Sequence, residues 1–201
     1  QAQGYIDMTE ENIAKGDPFA VYSDSDYRAT GASSIMFNNI RVSLYCFAGG
    51  ILAGLMTFWV LALNSMMVGA FFHIFYRHGI IFDFWNTTLL HGMIELSMMV
   101  MAAMAGFILA KGLLFPGSYT FSDSLKRAAL DSVQLIVVVA MWDGIAAIIE
   151  GFITGAHLST GAKLLINITT FLMLVGYWWV LGAIAWQRQR KREQLLAAAA
   201  A

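Results

Sequence analysis

From residue 38 onward, long apolar runs alternate with short polar interruptions. A membrane-spanning helix needs about 20 mostly apolar residues. Four stretches qualify: 41–63, 86–114, 129–154 and 163–186. A fifth, 65–76, is apolar but short, and ends at Arg77 and His78. The pattern predicts an all-α, polytopic transmembrane helix bundle of about four full spans plus one short or re-entrant apolar helix. The length of 86–114 predicts tilt. Trp178, Trp179 and Trp186 close the last run as an interfacial aromatic belt does. Residues 1–37 are polar and irregular. There, Thr9 before Glu10 and Glu11 suits a short capped helix, and Gly16-Asp17-Pro18 suits a turn. Pro116-Gly117 and the stretch from Thr154-Gly155 to Thr160-Gly161 punctuate the runs. The chain thus divides into an extramembrane segment (1–37), a transmembrane domain (38–186) and a basic tail (187–201).

Composition agrees with the pattern. The 201 residues are 59% hydrophobic and only 12% charged, where a soluble domain carries roughly 25% charge. A net charge of −1 creates no field that attracts nucleic acid, and no phosphate-cradling loop, zinc-finger spacing or RNA-binding motif occurs. The single Cys46 excludes an internal disulfide and reads as a small buried hydrophobe. Asp7, Glu10, Glu11, Asp17, Asp24 and Asp26 in the first segment are opposed only by Lys15 and Arg28. Arg188, Arg190, Lys191 and Arg192 follow the last run, which predicts a cytoplasmic C-terminus. Counting back, 155–162 lies outside and 115–128 inside, flanked by Lys111, Lys126 and Arg127. If 65–76 crosses, 1–37 lies outside; if it is re-entrant, 1–37 lies inside. The first arrangement is preferred. The chain opens at Gln1 with no visible signal peptide, so further natural sequence is expected upstream. The five alanines after Leu195-Leu196 carry no functional weight.

The candidate chemistry lies in His91, Glu95, Asp143 and Glu150, all within apolar runs. A charge in hydrocarbon costs at least about 2.5–3.5 kcal/mol, so such residues pair, line a wet cavity or carry function. His91 and Glu95 are i,i+4 and share a helix face; Asp143 and Glu150, i,i+7, share another. The short connection makes their helices antiparallel neighbours. Glu95 and Glu150 should then meet at one side of the membrane, with Asp143 nearer the midplane. Gly50 and Gly54, the Ala102/Gly106/Ala110 stripe, and Gly92 and Gly151 beside the acids permit close helix approach. Three readings of the polar cluster remain open: a hydrogen-bonded structural lock, a proton or ion path, and a metal site. The last would be H-x3-E plus a carboxylate from the next helix. It lacks the H-E-x-x-H spacing, so no metal, catalytic residue or cofactor is assigned. Met98, Met99, Met101 and Met104 do not share a face and read as packing, and His73 and His78 read as interfacial.

Several stretches carry a resemblance: FNNIRVSLYCFAGGILAG (37–54), the step from Asn64 to Gly69, LHGMIELSMMVMAAMAGFILAKGLLFPG (90–117) and IAAIIEGFITG (145–155). With them the chain resembles the stage II sporulation protein M family of bacterial integral membrane proteins, over roughly residues 5–186. The His-Gly-x-x-Glu-Leu and Ile-Glu-Gly-Phe cores are the most specific pieces, and MTEENIAKGDPFAVY is similar to the extracytoplasmic segment of one branch. The resemblance implies a further spanning helix upstream. It also implies a role with partner membrane proteins in septal peptidoglycan remodelling in spore formers, where the named member localises a hydrolase machine. Its motif residues fall on Asn38, Asn39, His91, Gly92, Glu95, Glu150 and Gly151, without an established catalytic role.

Three expectations follow. The first is a non-enzymatic subunit of the bacterial cytoplasmic membrane that assembles or anchors envelope partners, in contact with the lipid bilayer and self-associating as a dimer through small-residue faces. The alternative is a permease or ion/proton-coupled subunit using His91, Glu95, Asp143 and Glu150. The weakest is an intramembrane hydrolase.

Overall fold

The computed structural model describes residues 2–20, 25–154, 156 and 158–200. Asp24, Gly155 and the end of the 8–22 stretch, noted above, lie outside them. The described residues form six helices and no strand: α1 (Ala2–Ala14), α2 (Ser25–Ala48), α3 (Leu55–Arg77), α4 (Ile81–Leu114), α5 (Phe121–Ile148) and α6 (Thr160–Ala200). A 3-10 turn (Gly49–Leu52) joins α2 to α3, and a π-helical turn (Ile149–Thr154) extends α5. Four helical stretches are long and apolar enough to cross a membrane: Leu55–Arg77, Ile81–Leu114, Phe121–Thr154 and Thr160–Lys191. The all-α membrane bundle is therefore what the chain forms.

Its segments differ from the expected ones. The run 41–63 is broken, and 65–76 is no separate short helix but the second half of α3. The cause is local. Ala53 and Gly54 take left-handed backbone angles (φ 56 and 81), which end the 3-10 turn and reverse the chain. A hydropathy window averages across such a reversal, because every residue flanking it is apolar. Residues 25–37, grouped with the polar segment, instead begin α2, which continues across the 37/38 boundary. Thr9 lies inside α1 rather than capping a helix. The turn at Gly16-Asp17 forms as expected: Gly16 has φ 83, and Asp17 Oδ1 accepts from the Phe19 amide at 3.3 Å. Helix α5 starts eight residues before 129, at a cap where Thr120 Oγ1 accepts from the Asp123 amide (3.2 Å).

Side-chain bonds fix the directions of the helices. Asn39 and Ser43 of α2 meet Glu95 and Asp143, while Ser132 and Ser124 of α5 donate to the Ala105 and Gly112 carbonyls (both 2.8 Å). Thus α5 runs antiparallel to α4 and α2 runs parallel to it. Thr57, in the first turns of α3, donates to the Cys46 carbonyl at 2.6 Å, and Phe75 near its end packs on Phe84 (4.8 Å). Successive helices from α2 to α6 therefore alternate in direction. Helix α4 is the hub: Leu90, Ile94, Met98, Met101, Ala102 and Leu109 are buried, with Cys46, Val139, Ala146 and Leu174 packed around them. Helices α3 and α6 instead expose large apolar faces, including Leu55, Trp59, Met66, Leu165, Met173 and Trp179, as lipid-facing helices do.

Candidate functional site

The polar cluster is built on the first half of α4. Asn86, Thr87 and His91 lie on its inward face, with Glu95 one turn further on, and all but Glu95 are buried. The π turn Ile149–Thr154 brings Glu150 and Thr154 to the same place from α5. Such insertions into α-helices concentrate at functional sites. One ligand atom from each of His91, Glu95 and Glu150 falls within 4.8 Å of the others. His91 Nε2 lies 3.8 Å from Glu150 Oε1, beyond hydrogen-bond length. His91 Nδ1 lies 3.1 Å from Thr154 Oγ1, and the Thr154 hydroxyl donates to the Ile149 carbonyl at 3.4 Å. On the third side, Asn39 Nδ2 of α2 donates to Glu95 Oε1 at 2.6 Å. Three helices are thereby joined at a point where the exposures of His91 and Glu150 are 4% and 6%.

Asp143 stands apart from this trio. It is 2% exposed, and its Oδ2 accepts from Ser43 Oγ at 3.3 Å, one turn along α2 from Asn39. The four expected residues thus form a group of three and a separate Asp–Ser pair, both bridged by α2. The antiparallel α4/α5 arrangement that brings Glu95 and Glu150 together is present.

Toward the ends nearest Gly79 and Thr160, Asn167 Nδ2 donates to the Asn86 carbonyl (3.0 Å) and Lys163 Nζ to Thr87 Oγ1 (3.0 Å). A cavity of about 250 Å³ opens there, lined by Phe19, Asp83, Asn86, Thr87 and Lys163 among others. Thr87 precedes His91 by one helical turn, and no residue of the trio is among those lining the cavity.

The small residues act mainly within the chain. A methyl on Gly50 would strike the Gly106 carbonyl, and one on Gly106 would strike the Cys46 carbonyl and Thr57. Gly54 faces the Phe107 ring, and Ala102 and Gly151 are buried. Gly92 differs: among the described residues, a methyl there would meet only Thr88 of its own helix at 3.5 Å, an ordinary contact. Among the described residues, the close approach of another backbone expected at Gly92 is therefore not made.

Ser43 and Thr154, which hold Asp143 and His91, were not singled out from the sequence. Their spacing carries a signal: Asn39 and Ser43 are i,i+4 on α2, and Glu150 and Thr154 recur at the same interval. Nor was the setting of Arg41. It is exposed on α2 between Asn39 and Ser43, and its Nη2 donates to Asn38 Oδ1 at 3.0 Å. Asn38, also exposed, thus faces away from the trio that its neighbour Asn39 supports.

The profile of the family described as "Stage II sporulation protein M" matches residues 2–155, which include every residue of the trio, its supports and Arg41. No curated protein and no solved structure matches the chain. With about three quarters of its length under that match, the chain belongs to the stage II sporulation protein M family.

Proposed function

We propose that this protein is a non-enzymatic subunit of the bacterial cytoplasmic membrane that assembles or anchors other envelope membrane proteins, with its N-terminal segment outside and its C-terminus in the cytoplasm. The orientation draws on charge placement. Exposed Lys111, Lys126, Arg127, Arg188, Arg190 and Lys191 gather at one end of the bundle, as cytoplasmic ends do.

The observation that carries the assembly role is Arg41. The hydrogen bonds at Asn39 and Ser43 place it at the depth of the buried acids. On the order of 12 Å of helix separates it from the Gly49–Leu52 turn at ~1.5 Å per residue. Its side chain points outward, beside exposed Phe37, Leu44 and Tyr45. An arginine left in lipid there costs at least about 2.5 kcal/mol. A partner helix offering a carboxylate or amide to Arg41 and Asn38 removes that cost. The apolar residues around them supply packing.

A photo-crosslinking residue at Tyr45 tests this in native membranes. The expected result is a discrete adduct with one envelope partner, lost in Arg41→Leu and absent from the same probe at Trp179. An adduct pattern and complex size unchanged by Arg41→Leu would refute the role. A transport reading draws on the cavity beside Thr87. Ion flux through proteoliposomes of the purified chain that Glu150→Gln abolishes would favour it over assembly.

A further inference from the structure

The trio has a feature that a structural lock does not require. The Thr154 hydroxyl spends its hydrogen on the Ile149 carbonyl, so toward His91 it presents a lone pair. In the tautomer with its hydrogen on Nδ1, His91 turns its Nε2 lone pair toward the Glu150 carboxylate, 3.8 Å away. Glu95 completes the triangle, held by Asn39 at one oxygen. The three side chains bring an imidazole nitrogen and two carboxylates within 4.8 Å of one another, a donor set that a single divalent ion accepts at once. Two carboxylates and a neutral imidazole are neutralised by one divalent ion.

We propose that His91, Glu95 and Glu150 form a binding site for a first-row divalent metal ion, of the zinc or manganese kind. The imidazole selects these ions over magnesium and calcium, which take oxygen ligands. Ligand atoms at ~2.0–2.1 Å from a tetrahedral ion stand roughly 3.4 Å apart. The observed separations, 3.8 Å for the His91–Glu150 pair and at most 4.8 Å overall, close to that value by side-chain torsion. Thr154 on His91 and Asn39 on Glu95 are the supports that orient the ligands, as the outer partners of metal sites do. The π turn carries both Glu150 and Thr154, the residue that orients His91. The cavity lined by Asn86, Thr87 and Lys163 lies at the N-terminal end of α4, and Thr87 is one turn before His91. The inference does not depend on the assembly role. It assigns the trio a ligand, whether the bound ion locks three helices or does chemistry.

The test uses the full chain purified in detergent without chelator. Metal content is measured by mass spectrometry, and the chelator-treated protein is titrated with Zn²⁺, Mn²⁺ and Mg²⁺ separately. One zinc or manganese ion per chain is expected, with magnesium at least about tenfold weaker. His91→Ala and Glu150→Gln should abolish binding. Thr154→Val and Asn39→Ala, which keep all three ligands, should weaken it by about 10–100-fold. Asp143→Asn, outside the trio, should bind as the parent does. Co²⁺ should give visible ligand-field bands in the parent that His91→Ala lacks. Helicity and elution volume confirm that each variant is folded. Failure of the folded parent to bind zinc or manganese in the titration overturns the proposal. So does binding that survives in folded Glu150→Gln, or that Asp143→Asn reduces as much as His91→Ala.

Discussion

Replacing Gly106 by alanine puts one methyl group where α2, α3 and α4 meet. The added Cβ would collide with the Cys46 carbonyl and lie 3.0 Å from Thr57 Cγ2. Those two residues are already bonded to each other, Thr57 Oγ1 donating to Cys46 O at 2.6 Å, and both are fully buried. Neither atom is the far end of a flexible side chain, so α2 must move or the hydrogen bond must open. Overpacking of this kind costs about 1–3 kcal/mol, and stranding a buried polar group costs about 1–3 kcal/mol more. The gain from alanine over glycine in a helix is only about 0.5–1 kcal/mol. The expected net loss is about 2 kcal/mol, which raises the open population roughly 30-fold. Cys46, the only cysteine and fully buried, sits at this junction and reports the opening directly. The assay is the rate of its maleimide modification in mild detergent, with Gly176→Ala as control, since a methyl there meets nothing within 4 Å. Equal labelling rates for Gly106→Ala, Gly176→Ala and the parent would show that the three elements do not pack as described.

Glu95→Gln retains an acceptor for Asn39 and should unfold within a few degrees of the parent in the absence of added metal. Glu95→Ala strands the Asn39 amide and should lose about 1–3 kcal/mol in thermal or denaturant unfolding. Ser132→Ala removes a fully buried hydrogen bond to the Ala105 carbonyl and should cost about 1 kcal/mol by the same measurement, whereas Thr169→Ala, on an exposed face, should be neutral. On α1, the Lys15 ammonium, 2.7 Å from Glu11, holds that carboxyl below its ordinary 4.5. The contribution of the pair is therefore present above that value and fades as pH falls through the lowered one. Lys15→Ala should return Glu11 to the ordinary range by NMR titration without changing Tm, because the pair is exposed.

What could be read from the sequence follows from how each signal is encoded. Membrane spans are written in length and hydrophobicity, so α4, the apolar part of α5 and α6 were visible, and the i,i+4 spacing of His91 and Glu95 put them on one face. The antiparallel neighbour followed from the short connection after α4, and with it the meeting of Glu95 and Glu150. The turn at Gly49–Gly54 was hidden because it is made of backbone angles within an unbroken apolar run, so α2 and α3 were cut in the wrong places. Asp143 was grouped with Glu150 by helical periodicity alone. The pairing of Asp143 with Ser43 depends on where α2 packs, and no local spacing contains that information. Arg41 was overlooked for the same reason: whether a lone charge in an apolar run faces inward or outward is decided by the neighbouring helices.

Helix α2 connects these observations. It has the length to cross the membrane, yet it is not among the helices apolar enough to do so alone. Two of its polar residues, Asn39 and Ser43, are used inside the bundle. They meet Glu95 and Asp143, acids that would be costly in hydrocarbon without them. The Cys46 carbonyl, Gly49 and Gly50 admit the backbones of α3 and α4. The dependence runs both ways, since the acids of α4 and α5 lose hydrogen-bond donors without α2, and α2 loses its place among apolar helices without them. This makes α2, α4 and α5 a cooperative polar unit inside an apolar shell formed by α3 and α6. Arg41 and Asn38 are exposed on the same helix, Arg41 lying between Asn39 and Ser43. The surface proposed to meet a partner therefore lies on the same helix that supports the trio. Asn39 and Arg41 are two residues apart, so the two proposed sites are coupled through about half a turn of a single helix.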